Sequence, residues 1–495
     1  MASKLQIDEK NSIFAQYFLK KMNLPADFTS YTRSLMGDEL FNTLQAALEQ
    51  PQPVSIRLND KLMPHFAEHI NNVVPWCKEG RYLGKRPNFT FDPLLHIGAY
   101  YVQEASSMFV GRAVKEYVKE PVVALDLCAA PGGKSTHLSS VLPEGSLLVS
   151  NEINRQRAQI LAENISKWGN DNVIVTSSQP KDFRHLHQLF DLLLCDMPCS
   201  GEGMFRKDEG AIREWSKENV VMCADRQRSI LNDCWNCLAP GGILIYSTCT
   251  FNTLENEENI SWIVNELGAE VLSVPTEESW HITCNLLKGT DFPVYRFLPG
   301  RTQGEGFFLA ILRKNGEKSK NRDKKYKEDK KKLKPIAGIK ELMIKANSYI
   351  NNGEHYKLST DGTTISAISK DYTGIVCALE KELHILHSGT VIGEIRGHDL
   401  IPSQALALSK IFNRERFASQ EISYEQAITY LRRESILLEP DTPHGCVLLT
   451  YHNVPLGFVK NMGNRTNNLY PQEWRIRSGY NPEEKVEIFH ISNAD

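Results

Sequence analysis

Two cysteines and an aspartate carry the chemistry most legible in this chain. Cys199 lies in Phe190-Asp191-Leu192-Leu193-Leu194-Cys195-Asp196-Met197-Pro198-Cys199-Ser200-Gly201, and Cys249 lies in Ile243-Leu244-Ile245-Tyr246-Ser247-Thr248-Cys249-Thr250. Each thiol follows a short apolar run with the character of a buried strand. An open α/β sheet binds ligands outside the carboxyl ends of its strands, so Cys199 and Cys249 are expected to look into one crevice, with Asp196 beside them. A thiolate is the strongest of the common side-chain nucleophiles, although a free thiol is only a few per cent ionised at neutral pH. Two thiols next to a carboxyl group in a crevice point to covalent chemistry. From the residues alone the two are nearly interchangeable as nucleophiles.

A second constellation suggests a bound cofactor. After the run Val122-Val123-Ala124-Leu125-Asp126-Leu127 comes the small-residue turn Cys128-Ala129-Ala130-Pro131-Gly132-Gly133-Lys134, which opens a helix. Small side chains let the backbone approach a ligand, and the helix start offers free N–H groups. The tail Gly132-Gly133-Lys134-Ser135 imitates a triphosphate-binding loop, but Cys128 stands where that loop requires glycine. Glu152, at the end of the next apolar run, falls about 20 residues after the glycines, where an acid accepts both hydroxyls of a ribose. A nucleoside-bearing cofactor without a phosphate tail fits this pattern, and S-adenosylmethionine is such a molecule.

The elements that must position these groups follow from the rhythm of the sequence. Apolar runs at 122–127, 147–151, 173–176, 192–195 and 243–246 alternate with helical stretches, which predicts a mostly parallel sheet covered on both faces. Phe307-Phe308-Leu309-Ala310-Ile311-Leu312 is expected to be its last strand. Residues 1–105 form an N-terminal extension, expected to bind RNA, that mixes helical patterns, such as 37–48, with a short strand at 54–59. The catalytic unit spans 106–313 and a linker spans 314–335. Between Arg313 and Pro335 there are twelve Lys or Arg against four acids and no apolar period, so this segment reads as solvated chain, with phosphate contact as the alternative. Residues 336–495 form a separate, β-rich region, with a capped helix starting at Ser423 and Gln426 and a hairpin pairing 446–451 with 455–461.

Composition narrows the class. With 495 residues, 24% charged, 41% hydrophobic and a net charge of -3, the chain is an ordinary globular protein of roughly three domains. It has no apolar run of membrane-span length and no secretory leader, so a cytoplasmic protein without membrane contact is expected. The eleven cysteines have no framework spacing. The lone pair Cys234 and Cys237 reads as a helix-face coincidence rather than a zinc site, and no metal is expected.

Taken with Tyr101-Val102-Gln103-Glu104-Ala105-Ser106-Ser107-Met108, Arg157, the stretch Asp196 to Asp208 and Gly304-Glu305-Gly306-Phe307-Phe308, these motifs make the chain resemble the NOL1/NOP2/Sun family of RNA cytosine-5 methyltransferases, most closely its bacterial RsmF branch. The resemblance covers nearly the whole chain, since Tyr430-Leu431-Arg432 and Leu456-Gly457-Phe458-Val459-Lys460 are similar to the PUA-like RNA-binding domain of that branch. It implies a Rossmann-like methyltransferase core, S-adenosylmethionine held by Cys128, Ala129, Ala130, Pro131, Gly132, Gly133, Lys134, Glu152 and Asp196, and RNA as partner. It also implies that Cys249 is the nucleophile and that Cys199 assists product release. In place of the family's adenine-binding Asp the chain reads Ser177-Ser178-Gln179-Pro180, which leaves that contact to Gln179 or to Asp182.

The implied chemistry is addition of Cys249 to carbon 6 of cytosine, with Asp196 donating to or sharing a proton with N3. The target base must leave its stack to reach such a pocket. Arg206 and Lys207 would then meet phosphates flanking that base or form a solvated loop. The expected activity is formation of 5-methylcytidine in 16S rRNA by a monomer acting on the small ribosomal subunit or its assembly intermediate. The alternatives are the same chemistry on tRNA and a non-catalytic assembly factor.

Overall fold

The computed structural model describes residues 22–59, 71–317, 338–480 and 482–489. Residues 318–337, which hold most of the basic linker, lie outside them.

Two amphipathic helices, Ala26–Met36 and Asp38–Leu48, open the described chain. Their apolar faces bury Phe28, Phe41, Leu44 and Leu48 against Phe205, Trp215 and Phe251, so they clamp the segments that follow the two thiols. A small antiparallel sheet comes next, with β1 (Val54–Leu58), β2 (Val73–Val74), β3 (Cys77–Leu83) and β4 (Tyr100–Tyr101) in the order β2-β3-β1-β4.

The central sheet is built on β5 (Val123–Asp126), β6 (Leu147–Asn151), β7 (Val173–Thr176), β8 (Phe190–Asp196), β9 (Leu238–Thr248), β10 (Ala269–Leu272), β11 (Tyr295–Phe297) and β12 (Phe307–Lys314). β5 pairs in parallel with β6 on one side and β8 on the other, and β7 and β9 extend the two directions, also in parallel. The chain order therefore reverses between β5 and β8, and a crevice opens at their carboxyl ends. β12 runs antiparallel against β9, and β10 and β11 pair with β12. The five parallel strands are almost wholly buried, which explains their near-continuous apolar character.

β12 is not the last strand of this sheet. Ile385–Ser388, from beyond the linker, pairs antiparallel with β7 and closes the opposite edge. The helix before it, Thr373–Glu382, sends Val376 and Leu379 into the same core as Leu125, Leu193 and Phe190. The C-terminal region thus does not stand apart as the sequence suggested. Its four-stranded sheet of 418–421, 445–451, 454–461 and 466–468 shares a core with the N-terminal sheet, in which Ile56 and Tyr100 join Tyr430, Leu456 and Tyr470. Alternation along a strand specifies a buried face but not which face covers it. The hairpin and the Ser423 and Gln426 capping box are present as expected. Among the described residues no helix is long and apolar enough to cross a membrane.

Candidate active site

The Asp196 to Glu202 loop leaves β8 and the Cys249 to Asn256 loop leaves the adjacent, parallel β9, and a register that sets Asp196 opposite Ser247 brings the two thiols face to face. Cys199 Sγ lies 3.2 Å from Cys249 Sγ, and the Cys249 backbone N–H points at the Cys199 sulfur from 3.4 Å. The hydrogen bond shared with Cys249, together with burial, pushes the Cys199 thiol well up.

Two buried carboxylates hold these loops. Glu202, fully buried, accepts the backbone N–H groups of Phe251 (2.6 Å) and Asn252 (3.0 Å) and the Trp215 indole N–H (2.9 Å). Glu255, also fully buried, accepts the Ser200 N–H (3.0 Å) and the amides of Gln227 and Asn252 (both 2.8 Å), and burial raises its pKa. Gly203 completes the join. Its N–H donates to Cys249 O at 2.7 Å, and a Cβ there would stand 2.7 Å from that oxygen, so only glycine lets the backbones approach. Glu202 lies in the stretch Asp196 to Asp208, and Asn252 and Glu255 lie just past Cys249. Their signal was a run of polar residues where a buried turn was needed, but only the fold shows that the two loops are joined.

Asp196 stands between the thiols and the cofactor turn. Its Oδ2 accepts from Lys134 Nζ at 2.9 Å and its Oδ1 from the Ser247 hydroxyl at 2.8 Å, with a third of the side chain exposed. Burial pulls the Lys134 ammonium down, yet Asp196 outweighs it and holds the pKa above its ordinary value. Asp196 is therefore half of an ion pair rather than a lone carboxyl group.

The turn Cys128 to Lys134 runs from β5 into the helix Gly133–Val141. Gly132 has φ +119°, a conformation that favours glycine. The turn is pinned by its backbone: Ala129 N–H donates to Asn151 O (2.8 Å), Arg157 to Ala130 O (3.0 Å), and Asn164 to Pro131 O (2.8 Å). Glu152, 4% exposed, pairs with Arg157 at 3.4 Å and accepts the Asn154 N–H, which leaves lone pairs for further donors. Behind the turn, burial raises Asp126 to about 7; its Oδ2 accepts from Ser135 at 2.7 Å while Oδ1 is buried without a partner. Arg57, from the N-terminal sheet, donates to Thr136 Oγ1 (2.6 Å) in the helix and to Gln103 (2.7 Å), a role the sequence did not signal. A left-handed glycine turn, a helix start, a strand-end acid and an orphaned buried oxygen fit a nucleoside carrying an amino-acid tail.

Some expected residues do other work. Arg206 is buried, with its guanidinium on Glu305 (3.0 Å), Gly304 O and Ala47 O, so it braces the fold and is not available to flanking phosphates; Lys207 stays partly exposed. Asp182 accepts the Gln179 N–H at 2.8 Å and Gln179 itself is exposed, so neither is fixed toward the turn. Cys234 and Cys237 are buried in the core beneath the sheet.

Comparison with known proteins matches three family models to the chain: the 16S rRNA methyltransferase RsmB/F family at residues 117–313, the N-terminal domain of 16S rRNA methyltransferase RsmF at 24–105, and the methyltransferase RsmF PUA domain at 417–476. The ribosomal RNA small subunit methyltransferase F of Serratia proteamaculans is 30% identical over 476 residues, covering 92% of this chain and 97% of its own. That of Aliivibrio salmonicida is 30% identical over 489 residues, covering 92% and 98%. Among solved structures, a methyltransferase homolog protein from Pyrococcus horikoshii is 28% identical with a TM-score of 0.51, over 60% of this chain and 97% of that one. NSun6 from Pyrococcus horikoshii, determined with SFG, is 21% identical with a TM-score of 0.50 over 59% and 99%, a likeness of fold.

Proposed function

Because the chain belongs to the F family of ribosomal RNA small subunit methyltransferases, we propose that it forms 5-methylcytidine in 16S rRNA, in the cytoplasm, through a covalent adduct between Cys249 and cytosine. The observation that carries this reading is the pair of thiols 3.2 Å apart beside the Lys134 and Asp196 ion pair.

Carbon 5 of cytosine is too weak a nucleophile until a group adds at carbon 6. The attack is assigned to Cys249 by the family resemblance, with the Cys199 thiol in hydrogen-bond contact with its sulfur at 3.2 Å. As Cys249 adds, negative charge moves onto the ring toward N3. Asp196, paired with the Lys134 ammonium, is placed toward N3, so the proton given up by the Cys249 thiol as it adds passes through Asp196 to N3 while the ammonium balances the charge. Bound S-adenosylmethionine supplies an electrophilic methyl group to carbon 5. Glu152 and the backbone of Cys128 to Lys134 orient the nucleoside part, with Arg157 fixing both. The carbon 5 proton is then lost to water and the N3 proton returns through Asp196 as the carbon 6–sulfur bond breaks, with Cys199, in contact with the departing sulfur, assisting elimination of Cys249.

The test is bisulfite sequencing of rRNA and tRNA from cells with and without the gene. Loss of a 16S site is expected; loss of a tRNA site alone, or no loss, overturns the reading. Cys249→Ala is expected to abolish methylation, and Cys199→Ala to accumulate a protein–RNA adduct stable on a denaturing gel. Full turnover by Cys249→Ala would refute the assignment of the nucleophile.

A further inference from the structure

The strand Ile385–Ser388 falls between the matched stretches that end at 313 and begin at 417, yet it completes the sheet that carries the cofactor turn. Three loops at the carboxyl ends of β5, β6 and β7 face the cofactor crevice, and one side chain ties them together. Asn151, 1% exposed, donates to Leu127 O (3.1 Å) and Ser178 O (3.0 Å) and accepts from Ser178 N–H (3.0 Å) and the Thr176 hydroxyl (2.8 Å). With Ala129 bonded to Asn151 O and Glu152 N–H bonded to Thr176 O (3.1 Å), the turn, the ribose acid and the Ser177 to Gln179 loop form one network. Hydrogen bonds in a buried network of this kind strengthen one another.

The outer end of the network rests on the C-terminal region. Ser177 N–H donates to His384 O at 2.9 Å, and His384 N–H donates to the Ser178 hydroxyl at 2.9 Å. The ladder continues with Ile385 opposite Thr176 and His387 opposite Val175, and Gly389 N–H reaches Val173 O at 3.2 Å. The preceding helix, Thr373–Glu382, is anchored in the core by Val376 and Leu379, so the strand is held against β7 from behind.

We infer that the His384 end of this strand is a wall of the cofactor pocket, and that Ser178 is a positioning residue that passes its hold to the cofactor-binding loops. The inference rests on the cofactor reading above. Binding of the cofactor and docking of this C-terminal strand are then coupled, each strengthening the other. The region between the catalytic and PUA segments is thus part of the methyl-donor site and not a spacer.

Ser178→Ala in the full chain removes the acceptor of His384 N–H while leaving the backbone bonds to Asn151. Loss of one such bond corresponds to about a three- to ten-fold rise in the Kd for S-adenosylhomocysteine by calorimetry and in the KM for S-adenosylmethionine. The kcat and the Kd for RNA should stay within about two-fold, and Ser178→Thr should restore cofactor affinity. In the wild-type chain, S-adenosylhomocysteine should also slow amide hydrogen exchange across 384–389. Unchanged cofactor affinity in Ser178→Ala, an equal loss of RNA affinity, or unaltered exchange at 384–389 overturns the inference. A wild-type chain that binds no S-adenosylhomocysteine overturns the proposed function and this inference with it, whereas normal binding indifferent to Ser178→Ala overturns only the latter.

Discussion

On the thiol side of the crevice, the loops after β8 and β9 are joined by two buried carboxylates, Glu202 and Glu255, whose partners all lie in the segments around those loops. On the cofactor side, the loops after β5, β6 and β7 are joined by a neutral amide, Asn151, and are reached from outside by Arg57 and His384. Hydrogen bonds to a charged acceptor are about twice as strong as neutral ones, and removing one partner leaves a buried group unsatisfied. Under the proposed mechanism, the first arrangement suits two sulfur atoms that must keep their separation while a base enters and leaves. The second suits a pocket that must release its product at every turnover.

The contrast is broken most directly at Glu202. Glu202→Ala strips the acceptor from two buried backbone N–H groups and an indole N–H, and a loss of about 3–5 kcal/mol is expected in urea unfolding, with activity falling alongside. A loss below about 1 kcal/mol would mean that the carboxylate does not hold the loops. A smaller effect should come from Asp126. Its pKa is raised by burial to about 7, so the folded chain binds this proton more tightly than the unfolded chain does. Its contribution to stability is full below the ordinary carboxylate range and is lost as pH rises toward 7. Relative to wild type, cofactor-free Asp126→Asn should therefore gain stability between about pH 4 and 7, by up to about 4 kcal/mol, and stay level beyond. Thermal unfolding across that range checks the sign; a gain on acidification would refute it. The smallest effect is expected at Asp182, which only caps the Gln179 N–H. Asp182→Ala should change the KM for S-adenosylmethionine by less than about two-fold, and a larger change would place its carboxylate in the cofactor pocket.

The same division decides what the sequence made legible. The strands, the glycine turn and the convergence of Cys199 and Cys249 follow from local pattern, because neighbouring parallel strands deliver their carboxyl ends to one place. Glu152 was legible for the same reason. Arg206 was not, since the carboxylate that claims it, Glu305, belongs to a distant segment, and charge alone does not distinguish a buried pair from a phosphate contact. Asp196 was legible as a residue but not as half of an ion pair. The edge strand was hidden as well. Ile385-Leu386-His387-Ser388 is short and half polar, and it becomes a strand only because β7 offers it an edge.

That late strand has a consequence for how the protein is made. β7 is synthesised with one row of backbone groups unpaired, and its partner leaves the ribosome only after the linker and the helix Thr373–Glu382. Until then the nascent sheet carries an open edge of the kind that recruits strands from other molecules. The strand that completes the sheet is also the chain's own guard against aggregation, and shortening the protein before residue 389 would expose that edge permanently.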